Sequence, residues 1–251
     1  MVERLIAAAG TPEKAWQAWA GLHLLPRTQL RELVPHAART VVVSPHPDDE
    51  ILATGGLLAM LACDSAEVCV VAVTEGGASH AGSARWPEPL LVSQRRAESL
   101  EGLARLGLAP HTREALEVPD GQVRSHMQTI VCWLRQFLRP DDVVLSTWAL
   151  DGHPDHEASA QATAMACSSV GACHLEVPVW MWHWASPNDA RVPWERMVRL
   201  PLSADAMNRK KLALSAHSTQ LEPQDTGRPP VLEPATTARL LRPFEFFILP
   251  A

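Results

Sequence analysis

Tyrosine is absent from the 251 residues and phenylalanine occurs only four times, whereas tryptophan occurs nine times. A mechanism that needs a catalytic phenol is therefore excluded. Cysteine is sparse as well: Cys63, Cys69, Cys132, Cys167 and Cys173 are odd in number, scattered, and never spaced as CxxC. That argues against a disulfide framework or a thiolate zinc site and for reduced thiols. No run of about 18 apolar residues occurs, so no membrane span is expected. Residues Met1 to Ala9 are too short and too charged for a secretory leader. There is no basic stripe either: 22 Lys and Arg stand against 28 Asp and Glu, a formal charge of −6. A nucleic-acid partner is therefore not expected. The expected setting is cytoplasmic, the expected partner a small molecule, and the oligomeric state is open.

Several familiar motifs are also incomplete. Gly77 and Gly82 enclose four residues as in a phosphate-binding loop, but Ser83-Ala84 follows in place of Lys-Ser/Thr. Gly77 to Ala81 lacks the last glycine of a nucleophile elbow. His156-Glu157 opens like a zincin helix, but Ala160 holds the place of the second histidine.

What is present is a globular composition, 47 % hydrophobic and 20 % charged, long enough for one α/β domain. Residues 1–38 read as a helical extension, with Thr11-Pro12-Glu13 as a cap and Trp16 and Trp19 on one face. Residues 39–251 form the main domain. Strands are expected at 41–43, 68–73, 114–118, 143–147 and 173–179, with peripheral strands at 197–202 and 245–249. Helices are expected at 51–62, 93–106, 122–138, 156–168 and 204–216. Short connections between alternating strands and helices predict a Rossmann-like, mostly parallel sheet with helices on both faces. The site of such a sheet lies beyond the carboxyl ends of its strands. Gly55-Gly56 inside a helix predicts a close approach there.

Two of those strand ends carry the chemistry. Val41-Val42-Val43 runs into Ser44-Pro45-His46-Pro47-Asp48-Asp49-Glu50, and Val143 to Thr147 leads to His153-Pro154-Asp155-His156. One such cluster is an ordinary turn; two at successive strand ends are what a mononuclear metal hydrolase needs. Imidazole and carboxylate suit zinc, with ferrous iron as the alternative, and a catalytic zinc keeps three protein ligands and an exchangeable position. His46, Asp49 and His156 make such a set. Asp48, diverging from its neighbour, is left to take a proton from water. His153 is placed to stabilise the oxyanion and protonate a leaving amine, and Asp155 to orient a histidine.

These residues resemble the LmbE-like, or PIG-L, family of zinc-dependent N-acetylglucosamine deacetylases, over roughly residues 40–220. The family's H-P-D-D-E stands at His46 to Glu50 and its H-P-D-H at His153 to His156. The resemblance implies His46, Asp49 and His156 as metal ligands, Asp48 as general base and His153 as electrostatic stabiliser and acid. Glu50 and Asp155 are expected to stand behind them as supports. Arg95 to Glu98 resembles the family's R-x-x-E helix, whose arginine meets substrate. Pro119-Asp120-Gly121 resembles its P-D-G turn, in which Asp120 would hold a sugar hydroxyl. Lys211 to Gln220 resembles a stretch near the family's site and adds His217 as a substrate contact. Some members carry a tyrosine two residues before H-P-D-H; this chain has Asp151, expected to recognise a sugar hydroxyl or to raise the pKa of His153. His80 is a weaker contact, His111, His126 and His174 read as structural or solvated, and the tryptophans at 180–184 read as packing. The implied activity is removal of an N-acetyl group from an amino-sugar conjugate. The alternatives are hydrolysis of another N-acyl amide in a secondary metabolite or lipid, and a non-catalytic, metal-containing sugar-binding protein.

Overall fold

The computed structural model describes Arg4, Ile6, residues 10–109 and residues 112–250; His111 lies outside them. In chain order the elements are α1 (Glu13–Ala18), α2 (Ala20–Leu24), α3 (Leu30–Leu33), β1 (Thr40–Ser44), α4 (Asp49–Cys63), β2 (Val68–Ala72), α5 (Glu88–Leu106) and β3 (Arg113–Ala115). There follow α6 (Met127–Phe137), β4 (Val143–Thr147), α7 (Pro154–Val170), β5 (Cys173–Val177), α8 (Met181–Trp184), β6 (Met197–Pro201), α9 (Ala204–Leu214), α10 (Ser218–Leu221), α11 (Pro234–Leu240) and β7 (Phe244–Ile248).

The strands form one sheet in the order β3-β2-β1-β4-β5-β7-β6. The first five are parallel, and β7 runs antiparallel to both β5 and β6. Consecutive side chains of β1 enter opposite cores: Val42 joins the cluster under α4 and α9, while Val41 and Val43 join the one under α6 and α7. Burial on both faces is why β1, β2 and β4 read as continuous apolar runs. The chain leaves β1 toward β2 and β3, then returns to β4 on the other side of β1. This reversal opens a crevice at the carboxyl ends of β1 and β4, and both His/Asp clusters hang from it.

The first helices do not start as expected. Thr11 is no cap: its hydroxyl donates to Ala185 O (2.5 Å), and Pro12 holds the cap position of α1 without a side-chain bond. Trp16 is fully buried against Trp182, ring centroids 5.1 Å apart, and donates Nε1–H to Trp182 O (3.0 Å). Trp19 terminates α1, and its ring meets Trp16 (centroids 6.2 Å apart) and Trp194 (4.7 Å) on the side facing the core, as expected. Among the described residues no helix is long and apolar enough to cross a membrane.

Gly55-Gly56 marks a close approach. A Cβ on Gly56 would stand 2.5 Å from the Leu202 side chain. Within α4, Gly56 N–H and Leu57 N–H donate to the Glu245 carboxylate (2.6 and 2.7 Å). The carbonyl that Gly56 would ordinarily reach, Leu52 O, instead accepts from Lys210 Nζ (2.8 Å), which also bonds Glu245 (2.7 Å). A buried ion pair is thus inserted into the helix that carries the first cluster.

Candidate active site

β1 ends in Ser44, and the next residues turn back at once to start α4. The turn is held from below by Glu50, whose carboxylate accepts from Ser44 Oγ (2.8 Å), Asp48 N–H (3.1 Å) and Ser99 Oγ (2.6 Å). Asp48 adopts φ 147°, ψ −28°, a backbone region costly for a non-glycine residue, by about 1–3 kcal/mol. This strain presents Asp48 and Asp49 on different sides of the chain.

Asp49 Oδ2 lies 3.2 Å from His46 Nδ1 and 3.1 Å from His156 Nε2. Ligands about 2.0–2.2 Å from a tetrahedral zinc stand about 3.3 Å apart, so Asp49 Oδ2 has coordination spacing to each of the two nitrogens, and His46, His153 and His156 each offer a nitrogen within 4.8 Å of the others. His156 Nε2 is buried and, despite that proximity, makes no hydrogen bond. The tautomer follows from the other side of the ring, where Nδ1–H donates to Asp151 Oδ2 (2.8 Å), leaving Nε2 free to ligate. His46 is oriented likewise: its Nε2 faces Asp120 Oδ1 (3.2 Å) and Asp155 Oδ2 (3.5 Å), leaving Nδ1 for the site. The donor set fits a divalent cation.

The electrostatics favour positive charge at this point. Burial would lower both histidines, yet Asp120, Asp155 and Asp49 hold His46 well above its ordinary value. Asp49 and Asp151 raise His156 to about 9 against the same burial. Asp49 is buried too, but the two imidazoles hold it well below the carboxylate range. Asp48 behaves oppositely: burial raises it to about 7, against the pull of the Arg95 guanidinium. Two neighbouring carboxylates are thereby separated into a persistent anion and a group able to exchange a proton near neutrality.

His153 is the cap of α7. Its Nδ1 accepts Asp155 N–H (3.2 Å), so the neutral ring carries its proton on Nε2. Burial, with His156 and His46 nearby, lowers it to about 3. The ring is therefore neutral, with a proton to donate at Nε2. The rings of His46, His153 and His156 lie 4.8–5.3 Å apart, centroid to centroid. They line a cavity of about 350 Å³ together with Asp48, Arg95, Trp180 and Gln220.

Residues 41–167 match the model of the PIG-L family, described as GlcNAc-PI de-N-acetylase. The chain belongs to that family. Curated relatives of this PIG-L chain include the 1D-myo-inositol 2-acetamido-2-deoxy-alpha-D-glucopyranoside deacetylase of Rhodococcus erythropolis, 26 % identical over 86 % of this chain and 92 % of the relative. A protein of the same name from a Mycobacterium species (strain JLS) is 28 % identical over 79 % of this chain and 78 % of the relative. Among solved structures, an A40926 pseudoaglycone deacetylase superposes with a TM-score of 0.66 at 24 % identity, covering 84 % of this chain and 96 % of the other. That likeness is one of fold.

Of the four residues expected to meet substrate in this PIG-L chain, Arg95 and Asp120 line the cavity, whereas Asp151 and His217 are buried and do not. Asp151 is fully buried; beyond His156 it accepts from the amides of Val179 (2.9 Å), Trp180 (3.0 Å) and Met181 (3.0 Å). It has no lone pair for a sugar hydroxyl and does not face His153, so it is corrected to a positioning residue for His156. Asp120 lines the cavity and turns one oxygen to His46 and the other to Ala78 N–H (2.8 Å), so it also orients the His46 ring. Arg95 is buried and donates to Gly76 O (2.9 Å), Pro47 O (3.0 Å) and Asp48 Oδ2 (3.2 Å). It clamps Asp48, and Gly76 permits this because a Cβ there would stand 1.9 Å from its Nη1. His217 is fully buried behind Gly102, away from the cavity. Asp155 does support a histidine, but the one at His46, and it also takes Gly121 N–H (2.7 Å).

Two residues were missed. Counting back from Ala213, the buried lysine of the last stretch is Lys210 and not Lys211. Gln220 reaches the cavity because Glu98 accepts from Ser218 Oγ (2.9 Å), Thr219 N–H (3.0 Å) and Thr219 Oγ1 (2.6 Å), so Glu98 anchors α10 and does not pair with Arg95. The place of Gln220 in the quoted stretch was the available signal. Trp182 packs in the core as expected, while Trp180 lines the cavity. His80 is buried beside Ser79 Oγ (2.9 Å) and is not among the cavity residues.

Proposed function

We propose that this chain is a zinc-dependent amidohydrolase that removes the acetyl group from an N-acetylated amino-sugar conjugate, giving acetate and a free amine. Zinc would be held by His46 Nδ1, Asp49 Oδ2 and His156 Nε2, with ferrous iron compatible with the same donors. When bound, such an ion supplies Lewis acidity, which makes water nucleophilic at neutral pH and draws charge from the acetamide oxygen.

The chain's own groups supply the rest. Asp48, raised to about 7, accepts a proton from the attacking water. Its carboxylate is held at the cavity by Arg95 and by the strained turn. His153 donates from Nε2–H toward the acetamide oxygen, where negative charge develops as the carbonyl carbon becomes tetrahedral. The C–N bond then breaks. The amine needs a proton, and Asp48, having taken one at a pKa near neutral, returns it. Asp151 and Asp120 keep His156 and His46 in the tautomers this requires. The size of the cavity favours a short acyl group on one sugar ring over a long acyl chain. The five free thiols are in keeping with a cytoplasmic location.

The observation that carries this reading is the equal reach of Asp49 Oδ2 to two histidines on different strand ends, with Asp48 beside them. The test is acetate release from an N-acetylglucosamine glycoside by zinc-loaded protein, alongside Asp48→Asn. The variant should keep one zinc per chain and lose at least 10²-fold in kcat. Acetate release at the wild-type rate by the variant would remove the base.

A further inference from the structure

The cavity at the histidines has room for one sugar ring, so whatever the sugar carries must leave it. A groove of about 1050 Å³ adjoins it. The two share three chain segments: Gly121 lines the cavity and Arg124 the groove, His153 the cavity and Gly152 the groove, Trp180 the cavity and Trp184 the groove. Two further hollows among the described residues, near Cys167 and near Met60, share no segment with the histidines.

The chemistry of the groove is specific. Trp184 is fixed by Nε1–H donating to Asp151 O (2.7 Å) and lies nearly parallel to Trp148 (15°). Beside it Leu150 is an exposed apolar residue. Three arginines line the walls. Arg4 pairs with Glu157 (3.0 Å) and Arg191 with Asp189 (2.6 Å), the latter guanidinium also lying 4.6 Å over the Trp184 ring. Arg124 is exposed on the turn after Gly121, and among the described residues no carboxylate pairs with it. Glu157 and Asp189 neutralise two of these arginines, so Arg124 is the groove charge left over, beside a flat aromatic wall at the exit of the cavity.

We propose that this groove is the aglycone subsite and that it takes a large aglycone carrying an acidic group, the anion being met by Arg124. The assignment rests on the deacetylase reading for its orientation. Apolar rings of the aglycone lie along Trp184 and Leu150, and the exposed Arg124 draws the acidic group to the mouth.

Three N-acetylglucosamine glycosides test it: methyl, biphenyl and carboxybiphenyl, assayed for acetate release with wild type and Arg124→Glu. In the wild type kcat/KM should rise at least tenfold from methyl to biphenyl and tenfold again to carboxybiphenyl. In Arg124→Glu the carboxybiphenyl-to-biphenyl ratio should fall to one or below. Equal rates on all three glycosides, or a ratio untouched by Arg124→Glu, would overturn the proposal. If no glycoside released acetate, the deacetylase reading would fail by itself. Calorimetric binding of the carboxybiphenyl glycoside would still decide the groove: at least tenfold weaker binding to Arg124→Glu supports it, and equal binding rejects it.

Discussion

Asp48 and Asp49 are adjacent and of one chemistry, yet the fold gives them opposite proton affinities. The difference comes from what each faces: two imidazoles for Asp49; burial, opposed chiefly by one guanidinium and reinforced by the neighbouring Asp49 and Glu50 carboxylates, for Asp48. The consequence for stability has a definite sign. Asp48 in the folded, metal-free chain titrates near 7 in place of the ordinary 3.8, so the folded state holds a proton that the unfolded state gives up. The stabilisation is complete below about 3.8 and is lost as pH climbs through about 7. Metal-free Asp48→Asn should therefore melt above metal-free wild type at pH 8, with the gap closing toward pH 4; a gap independent of pH in thermal melts would contradict this. Asp151 gives a second prediction at this scale. Asp151→Asn cannot hold His156 in its ligating tautomer as a carboxylate does, and zinc affinity should fall by about 10–100-fold, read by competition with a chelator dye. Wild-type affinity would mean that Asp151 is only a structural acceptor. His46, Asp49 and His156 were legible because each cluster is contiguous in sequence. Asp151 was not, since the amides that absorb it come from Val179 to Met181, at the end of another strand. The second partner of Asp120 was hidden for a related reason: a P-D-G turn does not reveal that His46 is a group it faces.

Among the elements, α4 shows how a helix start and a helix interior serve one site. Its first turn supplies Asp49 and Glu50, and its glycine pair admits the Glu245–Lys210 ion pair from β7 and α9. Removing one partner leaves a buried charge, and Glu245→Ala should cost about 3–5 kcal/mol in urea unfolding. A change below about 1 kcal/mol would show that the helix closes its own hydrogen bonds without the pair. The glycine pair announced the close approach, but not which residue enters. Strand β4 was read to its exact bounds, because turn residues flank an unbroken apolar run. The helix expected from 122 begins instead with a 3-10 turn at Val123–His126 before α6. Asp155, 32 residues away, holds the Gly121 and Val123 amides (2.7 and 3.3 Å) and fixes the start of that segment. Likewise α5 begins at Glu88, five residues earlier than expected, since Pro89 in its first turn is favourable and not disruptive.

For the whole molecule, the alternation of strands and helices was enough to foresee a mostly parallel sheet with its site at the carboxyl ends. It could not give the strand order, which places β1 beside β4 and so brings His46 to His156. The division at residue 38 remains our proposal, and packing bears on it. Leu22, Leu25, Leu33 and Val34 lie in the same core cluster as Trp182 and Phe247, and Arg27 bridges to Arg199 of β6. Deletion of residues 1–38 should therefore uncover Trp182 and lower the melting temperature sharply, with increased dye binding to exposed apolar surface; an unchanged melt would make the segment a true appendage. The account as a whole depends on one cation meeting both strand ends. Anomalous diffraction at the zinc edge from zinc-loaded crystals measures this directly. The account predicts a single peak bonded by His46 Nδ1, Asp49 Oδ2 and His156 Nε2, with the Asp48 carboxylate unligated beside it. A peak between His46 Nε2, Asp120 and Asp155, or no peak at the histidines, would contradict it.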